Sequence, residues 1–136
     1  MKKFLLFYLF LFLCILLNSY NISFSQTNKQ VSIENAHCYP NPFDNEKEVG
    51  KIKFNLVTQK AVDNVKITIV IYDYNGKKVW TRYIEYGTLN AGSTAVIMRW
   101  GGENDMGEKV ANGLYFCKII VESGSTIYKL IKILVE

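Results

Sequence analysis

The chain has 136 residues, of which 49% are hydrophobic and 14% aromatic, enough apolar surface to close one packed domain. Charged residues make up only 21%, which excludes a disordered chain. The formal charge of +4 is spread over interleaved acids and bases with no basic stripe, which argues against nucleic-acid binding.

Lys2 and Lys3 precede an unbroken apolar run from Phe4 to Leu17, and a polar stretch then ends in Ser23-Phe24-Ser25-Gln26. Basic, apolar, then small residues two apart is the order of a secretory signal. The pattern predicts a signal peptide over 1–25, cleavage after Ser25, and a mature domain over 26–136 that starts at Gln26. An uncleaved anchor is the competing reading, but the Phe4–Leu17 run is short against the roughly 20 residues a helix needs to cross a bilayer. No stable membrane span is expected after cleavage. Cys14 lies inside the apolar run and follows Leu13, not a small residue, which speaks against a lipoprotein. The mature protein is expected to be exported to the periplasm, the outer surface or the medium, where thiols tend to oxidise.

The rest of the chain alternates apolar and polar residues with period two, the signature of strands. Val31–Tyr39 is a first strand, stopped by Pro40 and Pro42, which lack the N–H that a ladder needs. Lys51–Leu56 places Ile52, Phe54 and Leu56 on one face. Val65–Tyr72 places Val65, Ile67, Ile69 and Ile71 on one face, while its other face turns apolar at the end. Lys78–Tyr86 and Ser93–Trp100 are two further runs of β-formers, and Gly113–Glu122 and Thr126–Val135 complete a set of seven. Asp73-Tyr74-Asn75-Gly76 carries Asn-Gly, which supplies the positive φ angles of a tight hairpin. Ser123-Gly124-Ser125 marks a second hairpin, Asn90-Ala91-Gly92 and Gly101-Gly102 break two other runs, and Asp44–Gly50 reads as a loop. Seven short strands with a turn at each break predict an all-β, seven-stranded immunoglobulin-like β-sandwich. Tyr115, two residues before Cys117 at the start of the sixth strand, matches the tyrosine corner of such folds, with its ring inside and its hydroxyl on upstream backbone. Trp100 is expected in the core as well.

Candidate chemistry is sparse. His37 beside Cys38 is a possible nucleophile–base pair, but strand neighbours point to opposite faces. Glu103, Asn104, Asp105 and Glu108 fall close together, yet without the spacing of a calcium loop, and Asn, Asp and Gly107 also form ordinary turns. Trp80, Tyr83, Tyr86, Tyr72 and Tyr74 offer aromatic surface for a ligand, or core packing set by strand parity. No phosphate-binding loop, zinc spacing or nucleophile motif is present. The expectation is therefore no catalytic, cofactor-binding or metal-binding residue, no cofactor and no small-molecule substrate. Cys38 and Cys117 remain after cleavage, and whether they form a disulfide is open.

Five motifs in order, Tyr39-Pro40-Asn41-Pro42-Phe43, Ile71–Val79, Trp100–Gly107, Asn112–Phe116 and the closing strand Lys129–Glu136, resemble the FlgD-type immunoglobulin-like domain. That family overlaps with the C-terminal sorting domains of type IX secretion cargo. The resemblance spans Cys38 to Glu136. It implies a β-sandwich module with no activity of its own, not an enzyme, read by a protein partner from the export machinery or the envelope. Two settings follow from it: a type IX sorting domain, which normally trails a large cargo that is not seen between the signal and Cys38, or a structural module like that of the flagellar hook cap. The expected function is a sorting or targeting module, with a periplasmic or cell-surface interaction protein (adhesin-like or scaffold) as the alternative.

Overall fold

A computed structural model describes residues 30–136, so the signal peptide over 1–25, its cleavage after Ser25 and Gln26 lie outside the described residues. Seven strands follow in order: β1 (Val31–Tyr39), β2 (Gly50–Thr58), β3 (Val62–Asp73), β4 (Lys78–Leu89), β5 (Gly92–Trp100), β6 (Gly113–Glu122) and β7 (Thr126–Val135). They form a three-stranded sheet, β1-β2-β5, and a four-stranded sheet, β4-β3-β6-β7, with every strand pair antiparallel. This is the all-β, immunoglobulin-like sandwich expected from the strand count. The expected bounds of β1, β6 and β7 hold, and the other four strands run one to three residues longer at one or both ends.

Alternation decides which residues close the core. Ile52, Phe54 and Leu56 of β2 face Val65, Ile67, Ile69 and Ile71 of β3, and Cys117, Ile119 and Val121 of β6 fill the centre, all buried. Trp100, at the end of β5, has no exposed surface and meets Phe43 and Tyr115 edge-on at 5.8 and 5.5 Å between ring centroids. Edge-on pairs place a ring's positive rim on its neighbour's negative face. The Trp100 indole N–H donates to the Glu103 carbonyl at 2.8 Å, so burial leaves no donor unpaired. The Tyr115 hydroxyl donates to the Ala111 carbonyl at 2.7 Å, as a tyrosine corner requires. Gly50 makes room for this cluster, because a Cβ there would stand 2.9 Å from the Phe43 ring.

Local features depart from simple alternation, among them a register shift between Ile71 and Tyr72 in the β3–β4 ladder and Asn64 at φ 55° between the buried Val62 and Val65. In β1, Val31 and Ile33 point inward, but so do Ala36 and Cys38, so the inward parity switches. A bulge between Glu34 and His37, with Asn35 at φ 52°, absorbs the extra residue. The β3–β4 turn also differs from the expected pair of positive φ angles. Gly76 has φ 80°, but Asn75 does not enter the left-handed region. Asp73 explains this: its Oδ1 accepts from the N–H groups of Asn75 and Lys77, both at 2.9 Å, and its carbonyl accepts from Gly76 N–H at 3.0 Å. The side chain thus organises a longer turn that needs a single left-handed glycine.

Cys38 and Cys117 are both buried as free thiols, so the structure holds them as core residues and not as a bridge. Burial pushes the Cys38 thiol up to about 11 and the Cys117 thiol up to about 12.

Candidate interaction surface

The closing strand β7 presents two faces. Ile133 and Val135 are buried in the core, while Tyr128, Leu130 and Leu134 are exposed, at 67%, 52% and 39%, with Lys132 exposed among them. As an outer strand of its sheet, β7 would offer unpaired backbone groups to any extended chain. The structure closes half of that edge. The Asn41 side chain donates from Nδ2 to the Lys132 carbonyl at 3.0 Å and accepts from Leu134 N–H at 2.8 Å. Phe43 continues the seal with its own backbone: its N–H donates to the Leu134 carbonyl at 3.1 Å and its carbonyl accepts from Glu136 N–H at 2.9 Å. The prolines on either side of Asn41 lack the N–H to do this, so an amide side chain supplies donor and acceptor in their place.

The opposite edge of the same sheet, β4, is closed in a similar way by the loop after β5. Asp105 N–H donates to the Val79 carbonyl at 3.0 Å, and its Oδ1 accepts from Thr81 N–H at 2.8 Å. Within the loop, Asn104 and Glu108 bond each other. Asn104 Oδ1 accepts from the N–H groups of Met106 and Glu108, at 2.9 and 3.0 Å, and its Nδ2 donates to Glu108 Oε2 at 2.8 Å. No group of three or more potential metal ligands converges among the described residues. Lys109 reaches from the same loop to the carbonyls of Asn45 and Gly101, tying the β1–β2 and β5–β6 connections together.

A cleft of about 340 Å³ lies between this loop and the β3–β4 turn, lined by Asp73, Lys77, Lys78, Asn104, Asp105 and Tyr115 among others. Its carboxylates are those already holding the turn and the edge. Desolvation, with the nearby Asp73 charge, raises the Tyr115 phenol above its ordinary value. The cleft brings together no nucleophile with a base. His37 is exposed and its Nδ1 donates to the Asn35 carbonyl at 2.7 Å, while Cys38 is buried on the other side of the strand. The pair therefore separates as strand parity requires.

The aromatic candidates divide by parity too. Trp80 is 2% exposed, with the Arg82 guanidinium 5.1 Å above its ring. Tyr83 and Tyr74 stand out at 74% and 73% exposure. Asn41 and Asp105 escape sequence reasoning because each looks like a turn former. The usable signal is an amide between two prolines, where the backbone has no donor of its own.

Among solved structures, the fold is shared with dimeric latent PorU from Porphyromonas gingivalis, at a TM-score of 0.57 and 20% identity over 77% of this chain and 9% of that one. It is shared with the β-glucuronidase of Parabacteroides merdae, at 0.56 and 23% over 78% of this chain and 13% of that one. The C-terminal domain of Wzt matches at 0.60 and 14%, over 79% of this chain and 74% of that one. The chain thus spans a small part of the first two proteins, and at these identities the likeness concerns the fold. No curated protein matches in sequence. The model of the FlgD Ig-like domain matches residues 42–125, which is more than half of the chain and runs from the Phe43 seal through all of β2 to β6. The chain therefore belongs to the FlgD Ig-like domain family.

Proposed function

We propose that this domain is a recognition module without chemistry of its own, read by a protein partner through the outward side chains of β7, and that the reading serves sorting of an exported protein by type IX machinery. The observation that carries this is the state of β7. Its backbone edge is closed over Lys132 to Glu136 by Asn41 and Phe43, yet Tyr128, Leu130, Lys132 and Leu134 stay outside. Over that sealed half a partner reads side chains and not backbone, which gives specificity in place of strand addition. The motif order from Tyr39 to Glu136 supports the sorting setting, and the basic-apolar start of the chain supports export.

The test fuses Gln26–Glu136 to the C-terminus of a signal-bearing reporter in a type IX host. Removing the last residues is unsuitable, because it also takes Ile133 and Val135 out of the core. The informative variants are Leu130→Asp and Lys132→Glu, with Lys53→Glu on the outer side of β2 as the control. Surface delivery lost in the β7 variants and kept in the control is expected, with the native protein starting at Gln26 on N-terminal sequencing. A wild-type fusion that stays periplasmic overturns sorting and leaves the envelope interaction module as the account.

A further inference from the structure

The two outer faces of the sandwich differ in degree. On the β1-β2-β5 sheet, Ser32, Glu34, His37, Lys51, Lys53, Asn55, Ser93 and Arg99 face outward with Tyr39, Val57, Ala95 and Ile97 dispersed among them, a mostly polar surface as expected where an antiparallel sheet meets water. On the β4-β3-β6-β7 sheet, the pairing lays out cross-strand rows. One end carries Glu85, Lys66, Glu122 and Thr126. Next come Tyr83, Thr68, Ile120 and Tyr128, then Thr81, Val70, Lys118 and Leu130. The far end carries Lys78, Tyr72, Phe116 and Lys132, with Leu114 and Leu134 beyond. Strand β6 is apolar inside at Tyr115, Cys117, Ile119 and Val121, and outside at Leu114, Phe116 and Ile120, with Lys118 between the last two and Glu122 at its end. Val70, on this outer face, is already 6% exposed beneath its neighbours, while Tyr83, Tyr128, Leu130, Leu134 and Leu114 stand exposed around it.

Charge along the face is polar from end to end. Glu85 and Glu122 lie at one end, with Lys66 held 3.8 Å from Glu85, while Lys78 and Lys132 lie at the other end with no acid in their row. Lys118, in the middle, leans over the Tyr128 ring at 4.6 Å. A surface with apolar rows between an acidic and a basic end is complementary to itself. A two-fold axis lying along the rows turns one sheet over onto another with the strands reversed. The acidic end of each copy then covers the basic end of the other, and apolar rows meet apolar rows. Aligned sheets pack this way about 10 Å apart. Four strands about 4.8 Å apart and some 30 Å long give roughly 600 Å² per copy, roughly 1,200 Å² for two, the lower end of specific interfaces.

We propose that the outer face of the β4-β3-β6-β7 sheet docks a second copy of this chain, forming a two-fold, sheet-on-sheet homodimer in which Glu85 of each copy meets Lys78 of the other. The dimer is of the weak, reversible kind its area permits, and it does not depend on the sorting reading. Because it covers Tyr128, Leu130 and Lys132, a reader of β7 and the second copy exclude each other.

The test is sedimentation equilibrium of the exported protein, recovered from the envelope or medium, from about 1 to about 500 μM, the range that brackets micromolar association. Substitutions are confined to β4, away from the side chains the sorting assay changes, so the two readings fail separately. A monomer–dimer equilibrium is expected. Tyr83→Glu, at a position too exposed to disturb folding, is expected to weaken it at least about tenfold, as loss of an aromatic anchor together with burial of a charge does. Glu85→Lys alone is also expected to weaken it, and adding Lys78→Glu in the same chain to restore it, since the symmetry pairs the two reversed charges. A single-chain mass across the whole range overturns the proposal, and so does a dimer indifferent to Tyr83→Glu. A double reversal that fails to restore association overturns the pairing of Glu85 with Lys78. Circular dichroism of each variant confirms that it is folded.

Discussion

Tyr115 combines two roles in one side chain: its ring meets Trp100 edge-on at 5.5 Å, and its hydroxyl bonds the Ala111 carbonyl. The roles separate by substitution. Tyr115→Phe keeps the ring and is expected to cost about 1 kcal/mol, the net value of one hydrogen bond. Tyr115→Ala and Trp100→Ala remove a buried ring and are expected to cost about 3–5 kcal/mol each. Urea denaturation of the three variants checks this ordering, and a Tyr115→Phe variant as damaged as Tyr115→Ala would contradict it. Both core roles were legible in the sequence, because Tyr115 sits two residues before Cys117 and Trp100 ends an alternating run. The fate of Trp80 and Tyr83 was not. They lie three residues apart on β4, so alternation puts them on opposite faces but does not say which face is inside until the partner strand is known.

At the level of elements, all seven strands were legible, since each carries its own period-two pattern bounded by Gly, Pro or Asn. Sheet order was not, because it depends on which inward faces find each other at long range. The edge seals were invisible for the same reason: Asn41 acts on Lys132 and Leu134, more than ninety positions away along the chain. Asp105 performs the matching task on Val79 and Thr81. Asn41→Ala is expected to cost about 1 kcal/mol and to expose Leu134 N–H to solvent. Native-state hydrogen exchange should show faster exchange at Leu134 with little change at Ile119. Asp105→Ala should do the same at Thr81. Unsealed strand edges also favour sheet-to-sheet association, so both variants are expected to aggregate at lower concentration than the parent protein.

For the molecule as a whole, the buried thiols tie stability to pH. Cys38 and Cys117 ionise near 9.0 when unfolded but are pushed up to about 11 and about 12 in the fold. The unfolded chain therefore loses these protons first as pH rises, and ionisation favours it. The thiols' contribution is intact below about pH 9 and lost progressively as pH climbs towards their folded values, with Tyr115 shifting in the same direction. Melting temperature is expected to hold steady to about pH 9 and then fall, with a shallower fall in Cys117→Ala. Sequence could name the two cysteines but not their depth, since burial at the sandwich centre depends on both sheets at once. The larger apolar share of the outer face of the four-stranded sheet lay equally beyond it, because it appears only when four strands are set in register.

Gln30 lies beside Gly124 in the β6–β7 turn, and Glu136 lies at the far end of the sandwich. Between these points β1 and β7 run in the same direction, and the bridge from Phe43 to Val135 is parallel. Tension applied at Gln30 and Glu136 therefore acts along the strands and not across them. The bonds from Phe43 to Leu134 and Glu136, from Asn45 to Glu136, and from Asn41 to Lys132 and Leu134 are then loaded together in shear and cannot open one after another. The patch that seals the sheet edge is thus also the point at which the domain resists being pulled apart along its length.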